Sequence, residues 1–93
     1  MMSVGDASRF VVASGVAARS LDDYAVAVQV DKGIVYTTAG IGHCIWELLA
    51  SGRSVGDIVT LIGERYPREK PRVRQDVIAF VESLLEAGLI IGR

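Results

Sequence analysis

The chain has 93 residues, of which 51% are hydrophobic and 23% are charged, a balance typical of one folded domain and not of a disordered chain. Ten lysines and arginines against eleven aspartates and glutamates give a formal net charge of −1, which excludes the basic surface that non-specific nucleic-acid binding needs. The single cysteine, Cys44, excludes an intramolecular disulfide and a multi-cysteine zinc site.

The start of the chain predicts no targeting or membrane segment. It lacks a basic beginning followed by an apolar run, and no stretch approaches the ~20 apolar residues that span a bilayer. We therefore expect a soluble, cytoplasmic protein. Residues 1–93 are expected to form a single domain, with residues 1–9 as a flexible start.

Alternating and β-branched residues predict strands in the first half of the chain. Residues 10–13 fit a short strand or an extended arm, and residues 16–21 fit a first strand. Residues 24–30 form the clearest strand, with valines on one face and Ala25, Ala27 and Gln29 on the other. Residues 31–33 predict a tight hairpin turn, after which residues 34–38 return as the antiparallel partner.

Helical periodicity replaces alternation after Gly40. Thr38 is predicted to be the N-cap of a first helix that Gly52 ends. Ser54, with Asp57 three residues on, is predicted to cap a second helix that closes before Pro67.

A third helix completes the predicted fold. Residues 68–72 are predicted to be a charged loop, residues 73–87 the helix, and residues 89–91 a short apolar tail that is extended or packed under the helices. The expected class is α+β: a three-stranded antiparallel sheet followed by three helices, similar in shape to a winged helix-turn-helix.

No residue constellation predicts catalysis, a cofactor or a bound metal. His43 and Cys44 are adjacent, and neighbours on a helix point about 100° apart, so a Cys–His catalytic pair is disfavoured. Cys44 is expected to be a small buried thiol. Trp46, with apolar residues around it at helical spacing, is expected to anchor the core.

Two features predict binding instead. No clear further strand follows strand 34–38 in the chain, so this strand is expected to lie at the edge of the sheet. It carries no lysine or proline that would protect such an edge. Its free backbone groups would therefore accept an added strand. The third helix is apolar over a wider arc than its own core needs. A basic cluster at residues 68–74 is either a solvated loop and helix start or a contact for an acidic peptide or a phosphate.

A series of short motifs runs through most of the chain: Asp31-Lys32-Gly33, the strand 34–38, Gly42-x-x-Ile45-Trp46-x-Leu48-Leu49, Gly52-Arg53-Ser54-Val55-x-x-Ile58-Val59, Tyr66, Asp76-Val77 and Leu84-x-x-x-Gly88-Leu89-Ile90. In their order and spacing, these motifs resemble the PqqD family. The Ile45-Trp46 pair and the compact length look more like the lasso-peptide type than like PqqD itself. One departure is Thr38-Ala39, where the family usually has Leu-Asn.

The resemblance implies a non-enzymatic recognition element for ribosomally synthesised, modified peptides. It implies that a leader peptide adds to the third strand, packs on the third helix and is presented to modifying enzymes, with a lasso-peptide protease and cyclase favoured. Arg74 is expected to pair with an acidic leader residue. The expected peptide-binding residues are Ile34, Val35, Tyr36, Thr37, Thr38, Arg74, Val77, Ile78, Phe80, Val81 and Leu84.

The sequence leaves open two other hypotheses about the function of the chain. A winged-helix DNA-binding or regulatory module would use the second helix, although that helix offers few groups that contact bases or phosphates. An enzyme subunit would need its chemistry from a partner. We expect no nucleic-acid or membrane partner, and a monomer or a weak, strand-exchanged dimer.

Overall fold

The computed structural model describes residues 4–93, so the predictions made for residues 1–3 lie outside the described residues. Three strands of one antiparallel sheet, β2, β3 and β4, are followed by three helices, which confirms the predicted α+β class. The likeness to a winged helix-turn-helix stays a prediction. The elements in chain order are β1 (Phe10–Val12), β2 (Val16–Ser20), β3 (Tyr24–Gln29), β4 (Ile34–Ala39), α1 (Ile41–Ala50), α2 (Val55–Arg65), a 3₁₀ turn (Pro67–Glu69), α3 (Lys70–Glu86) and β5 (Ile90–Gly92).

The sheet buries its small-residue face. Ala25 and Ala27 of β3 are 2% and 3% exposed, whereas Val26 and Val28, which alternate with them, face away from the helices. Small side chains on the buried face let the helices approach the sheet backbone closely. The Gln29 side-chain amide donates to the carbonyl of Gly88 at 2.9 Å, which ties the end of β3 to the C-terminal end of α3.

Two predicted boundaries are wrong, and both have a local cause. Thr38 does not cap α1, because β4 continues through Ala39 and the chain turns at Gly40, whose φ of 60° favours glycine. Residues 70–72 are helical and not loop, because Pro71 occupies the first turn of α3, where the missing N–H breaks no helical hydrogen bond. The predicted Ser54 cap is confirmed: its Oγ accepts from the Asp57 amide at 3.2 Å.

The two ends of the described chain meet in a second, two-stranded sheet. β1 pairs antiparallel with β5, which settles the alternatives left open for residues 10–13 and 89–91. Residues 4–9 lead into β1 across the start of α2, where the carbonyls of Ser8 and Asp6 accept from the first helical amides at 2.9 Å each. The single domain and the flexible start stay predictions.

One cluster of buried side chains joins the sheets to all three helices. Trp46 is 3% exposed within it, as expected of a core anchor. Among residues 4–93, no helix is both long and apolar enough to cross a membrane.

We expect Trp46→Ala to lower the free energy of unfolding by about 3–5 kcal/mol, because the truncation leaves a cavity in a small core. Val30→Ala is the matched control: this side chain is 64% exposed, so its loss should change stability by less than ~0.5 kcal/mol. Urea denaturation followed by circular dichroism measures both. Equal stability of Trp46→Ala and wild type would contradict the burial of the indole.

Candidate functional site

The outer edge of β4 presents unpaired backbone groups. The Val30 amide donates to Gly15 and the Tyr24 carbonyl accepts from Leu21, so the even-numbered residues of β3 bond towards β2 and the odd-numbered ones towards β4. The register then directs the backbone groups of Ile34, Tyr36 and Thr38 towards β3. Those of Val35, Thr37 and Ala39 point away from the sheet, and no strand within residues 4–93 pairs with them.

β4 meets one flank of α3 beside this edge, and we call the surface that Tyr36, Phe80 and Ser83 form there the cleft. The Tyr36 hydroxyl lies 3.2 Å from Ser83 Oγ, and its ring meets the Phe80 ring edge-on with the centroids 6.3 Å apart. At Gly42 a Cβ atom would collide with Thr38 Oγ1 and lie 3.6 Å from the Phe80 ring. The inward side chains of β4 therefore rest on the Phe80 flank of α3.

Three of the predicted binding residues lie beneath this cleft and not in it. Val77, Val81 and Leu84 are each 0% exposed. They belong to the core, so the groove lining predicted for them has no support in the structure. Phe80, which is half-buried, and Ser83 form the α3 side instead. Ser83 was missed because a lone serine in an apolar stripe carries no sequence signal.

Arg74 and Ile78 lie away from the cleft. At 100° per residue, Arg74 is roughly 120° and Ile78 roughly 160° around α3 from Phe80. Arg74 forms an ion pair with Asp6 in the N-terminal segment, and both side chains are exposed. Hydrogen bonding to Asp6 raises the pKa of Arg74 above its ordinary value. The expected pairing of Arg74 with an acidic leader residue would compete with Asp6 and would lie off the β4 edge.

His43 belongs to a polar network with Ser20 and Glu47, at the contact between α1 and the end of β2. Its Nε2 lies 3.0 Å from Ser20 Oγ and 3.1 Å from Glu47 Oε1, and the Ser20 hydroxyl also donates to Glu47. In a Ser–His–carboxylate relay the two partners use different ring nitrogens, whereas here both meet Nε2. The network therefore connects the end of β2 to α1 without the geometry of a catalytic triad. The His43–Glu47 spacing of four residues was its only sequence signal.

Cys44 contacts Tyr66 and not the partners of the adjacent His43. Its half-buried Sγ lies 3.5 Å from the Tyr66 hydroxyl, and this hydrogen bond, followed by burial, raises the pKa of Tyr66. A 910 Å³ cavity between α1 and α2 is lined partly by His43 and Cys44, and its wall carries charges of both signs. Among residues 4–93, no cluster of three His, Cys, Asp or Glu side chains could hold a metal ion.

A family model described as coenzyme PQQ synthesis protein D (PqqD) matches residues 24–90, which include β3, β4 and all three helices. The chain belongs to the PqqD family. No curated protein matches it. The predicted resemblance to this family is confirmed.

Two solved structures share the fold. TbiB1 in complex with the TbiA(beta) leader peptide is 26% identical with a TM-score of 0.81, and the match covers 89% of this chain and 96% of that one. Lasso peptide synthetase B1 complexed with the leader peptide is 22% identical with a TM-score of 0.79, covering 89% and 98%. At such identities the likeness describes the fold, and the binding residues of this chain have to be argued from its own geometry.

Proposed function

We propose that the chain binds the leader segment of a ribosomally synthesised precursor peptide as a strand added to β4. The free outer edge of β4 beside the Phe80 flank of α3 carries this proposal. Two structures with the same fold hold leader peptides, which supports it. We infer that the bound precursor is presented to modifying enzymes, with a protease and a cyclase of lasso-peptide biosynthesis as the favoured partners.

Backbone hydrogen bonds would supply the sequence-tolerant part of the affinity. Val35 and Thr37 each offer an outward N–H and an outward C=O, and a peptide strand laid antiparallel or parallel would pair with them. Because side chains alternate along a strand, every second leader residue would point into the cleft.

The cleft would supply the selectivity. Its aromatic side chains, Tyr36 and Phe80, form an apolar surface on which a large leader side chain can lie. Full burial of such a side chain is worth about 1.5–3 kcal/mol. The Tyr36 and Ser83 hydroxyls sit together beside that surface and provide a polar contact for a leader group.

Membership of a family of peptide-recognition elements supports a role without catalysis, and we propose no chemical step for this chain. The DNA-binding alternative is not favoured by α2, whose exposed residues are Asp57, Thr60, Glu64 and Arg65. Two carboxylates on that face would repel a phosphate backbone.

Proline at Val35 or at Thr37 should weaken leader binding. Each substitution removes one outward N–H while leaving the bonds to β3 in place, and an edge strand tolerates proline there. Loss of one hydrogen bond, about 1 kcal/mol, corresponds to roughly a fivefold rise in Kd. Fluorescence anisotropy with a labelled leader peptide measures the Kd, and circular dichroism confirms folding.

The matched control is Ala18→Pro, which removes an outward N–H from β2, the opposite edge of the same sheet. Its leader Kd should equal that of wild type. If Val35→Pro and Thr37→Pro fold and bind normally, or if Ala18→Pro weakens binding equally, the leader does not add to β4.

Phe80→Ala should raise the leader Kd about tenfold, because it removes the aromatic ring that α3 contributes to the cleft. Ile78→Ala is its partner variant: Ile78 is also half-buried and apolar on α3, but it lies on the far flank. We expect its leader Kd to change less than twofold. Fluorescence anisotropy titration of the leader against each variant measures the two Kd values. Thermal melts show whether either variant has lost stability. An equal effect of the two substitutions would place the peptide away from the cleft.

A further inference from the structure

The face of the sheet that points away from the helices is apolar, and no other element within residues 4–93 covers it. Val30 and Val35 are each 64% exposed and Tyr24 is 39% exposed. Val26 and Val28 are half-buried and lie outside the core cluster and the side chains packed against it. The cross-strand register assigns to this outer face Ala17, Arg19, Tyr24, Val26, Val28, Val35, Thr37 and Ala39, with Val30 just past the end of β3.

Charge is almost missing from this outer face. Arg19 is the one charged residue in the assigned set. A shallow depression of about 330 Å³ lies at one end, lined by Asp23, Tyr24, Thr37, Thr38 and Ala39. A partner that fits this outer face would therefore present an apolar surface, with a carboxylate opposite Arg19 and a protruding side chain that enters the depression.

The area of the outer face argues against a second copy of the chain as its occupant. Strands ~4.8 Å apart, with a rise of ~3.3 Å per residue, give three strands a flat projected area of roughly 280 Å², which is smaller than their accessible surface. A stable interface buries about 800 Å² on each partner. Two outer faces packed together would fall well short, so the occupant has to make contacts elsewhere as well.

A leader strand on β4 would enlarge this same face. Its alternate side chains would project beside Val35 and Thr37, in the plane of the valines, and would add about a third to the area. We propose that the outer face, completed by the outward side chains of the bound leader, binds the leader protease of the pathway. This inference rests on the proposed function.

The composite surface has a thermodynamic consequence. An enzyme that contacts both the outer face and the leader binds the complex more tightly than the free chain, and the leader in turn binds more tightly when the enzyme is present. The two side-chain sets of the leader then have separate roles: inward residues fix it to this chain, and outward residues are recognised by the enzyme.

The test uses Val28→Lys/Val30→Lys, which puts two charges on the outer face and leaves every residue of β4 unchanged. Ile91→Lys is the control, since Ile91 is 51% exposed in β5, away from this face. The probes are the labelled leader, the full-length precursor and the purified leader protease of the same pathway. We expect both variants to bind the leader with wild-type Kd. Leader cleavage at limiting chain concentration should fall at least tenfold for the double variant and be unchanged for Ile91→Lys.

Each other outcome is decisive. Normal cleavage with the double variant overturns the docking face. A wild-type dimer in sedimentation velocity that the double variant abolishes also overturns it, because a second copy then covers the face. Failure of the wild-type chain to bind the leader is a different result: it removes the proposed function itself.

Discussion

The geometry of the candidate site depends on one constraint, the alternation of backbone hydrogen bonds along β4. Half of its amides and carbonyls are used by β3, and the other half point outward with no partner among residues 4–93. Unpaired backbone groups at an exposed edge require either water or another strand. α3 supports β4 through contacts of Tyr36 with Phe80 and Ser83, which hold the edge in position. A preorganised edge reduces the ordering cost of binding.

The same alternation gives the sheet two chemically different faces. Ala25 and Ala27 point inward, and their small size brings the helices near enough for α3 to meet β4. The valines of β3 point outward, which leaves an apolar surface that the core does not use. Because side chains alternate along a strand, a strand added at the edge would place one set of its side chains in the cleft and the other set on the outer face.

Much of this fold could be predicted from local pattern. Alternation located β3 and β4, Gly33 located their turn, and Ser54 located the start of α2, because each signal is contained within a few residues. The start of α3 was missed because Pro71 is compatible with either a loop or a first helical turn. The pairing of β1 with β5 joins segments about 80 residues apart, and no local signal encodes it.

The candidate site was predictable only in part. The edge strand followed from strand order, but the flank of α3 that faces it did not, because the apolar arc of that helix covers more than one face. Packing alone separates Phe80 from the buried Val77 and Val81. Arg74 was associated with a leader through its position near a helix start, while its partner in the structure, Asp6, lies 68 residues away.

Residue-resolved amide hydrogen exchange, measured by NMR with and without the leader peptide, tests the central claim most directly. Strand addition to β4 predicts that the amides of Val35 and Thr37 exchange rapidly in the free chain and slowly in the complex. The Tyr36 amide, already bonded to β3, should be slow in both, and the outward Ala18 amide of β2 should not change. Unchanged exchange at Val35 and Thr37 under saturating leader, or protection at Ala18 instead, would contradict the account.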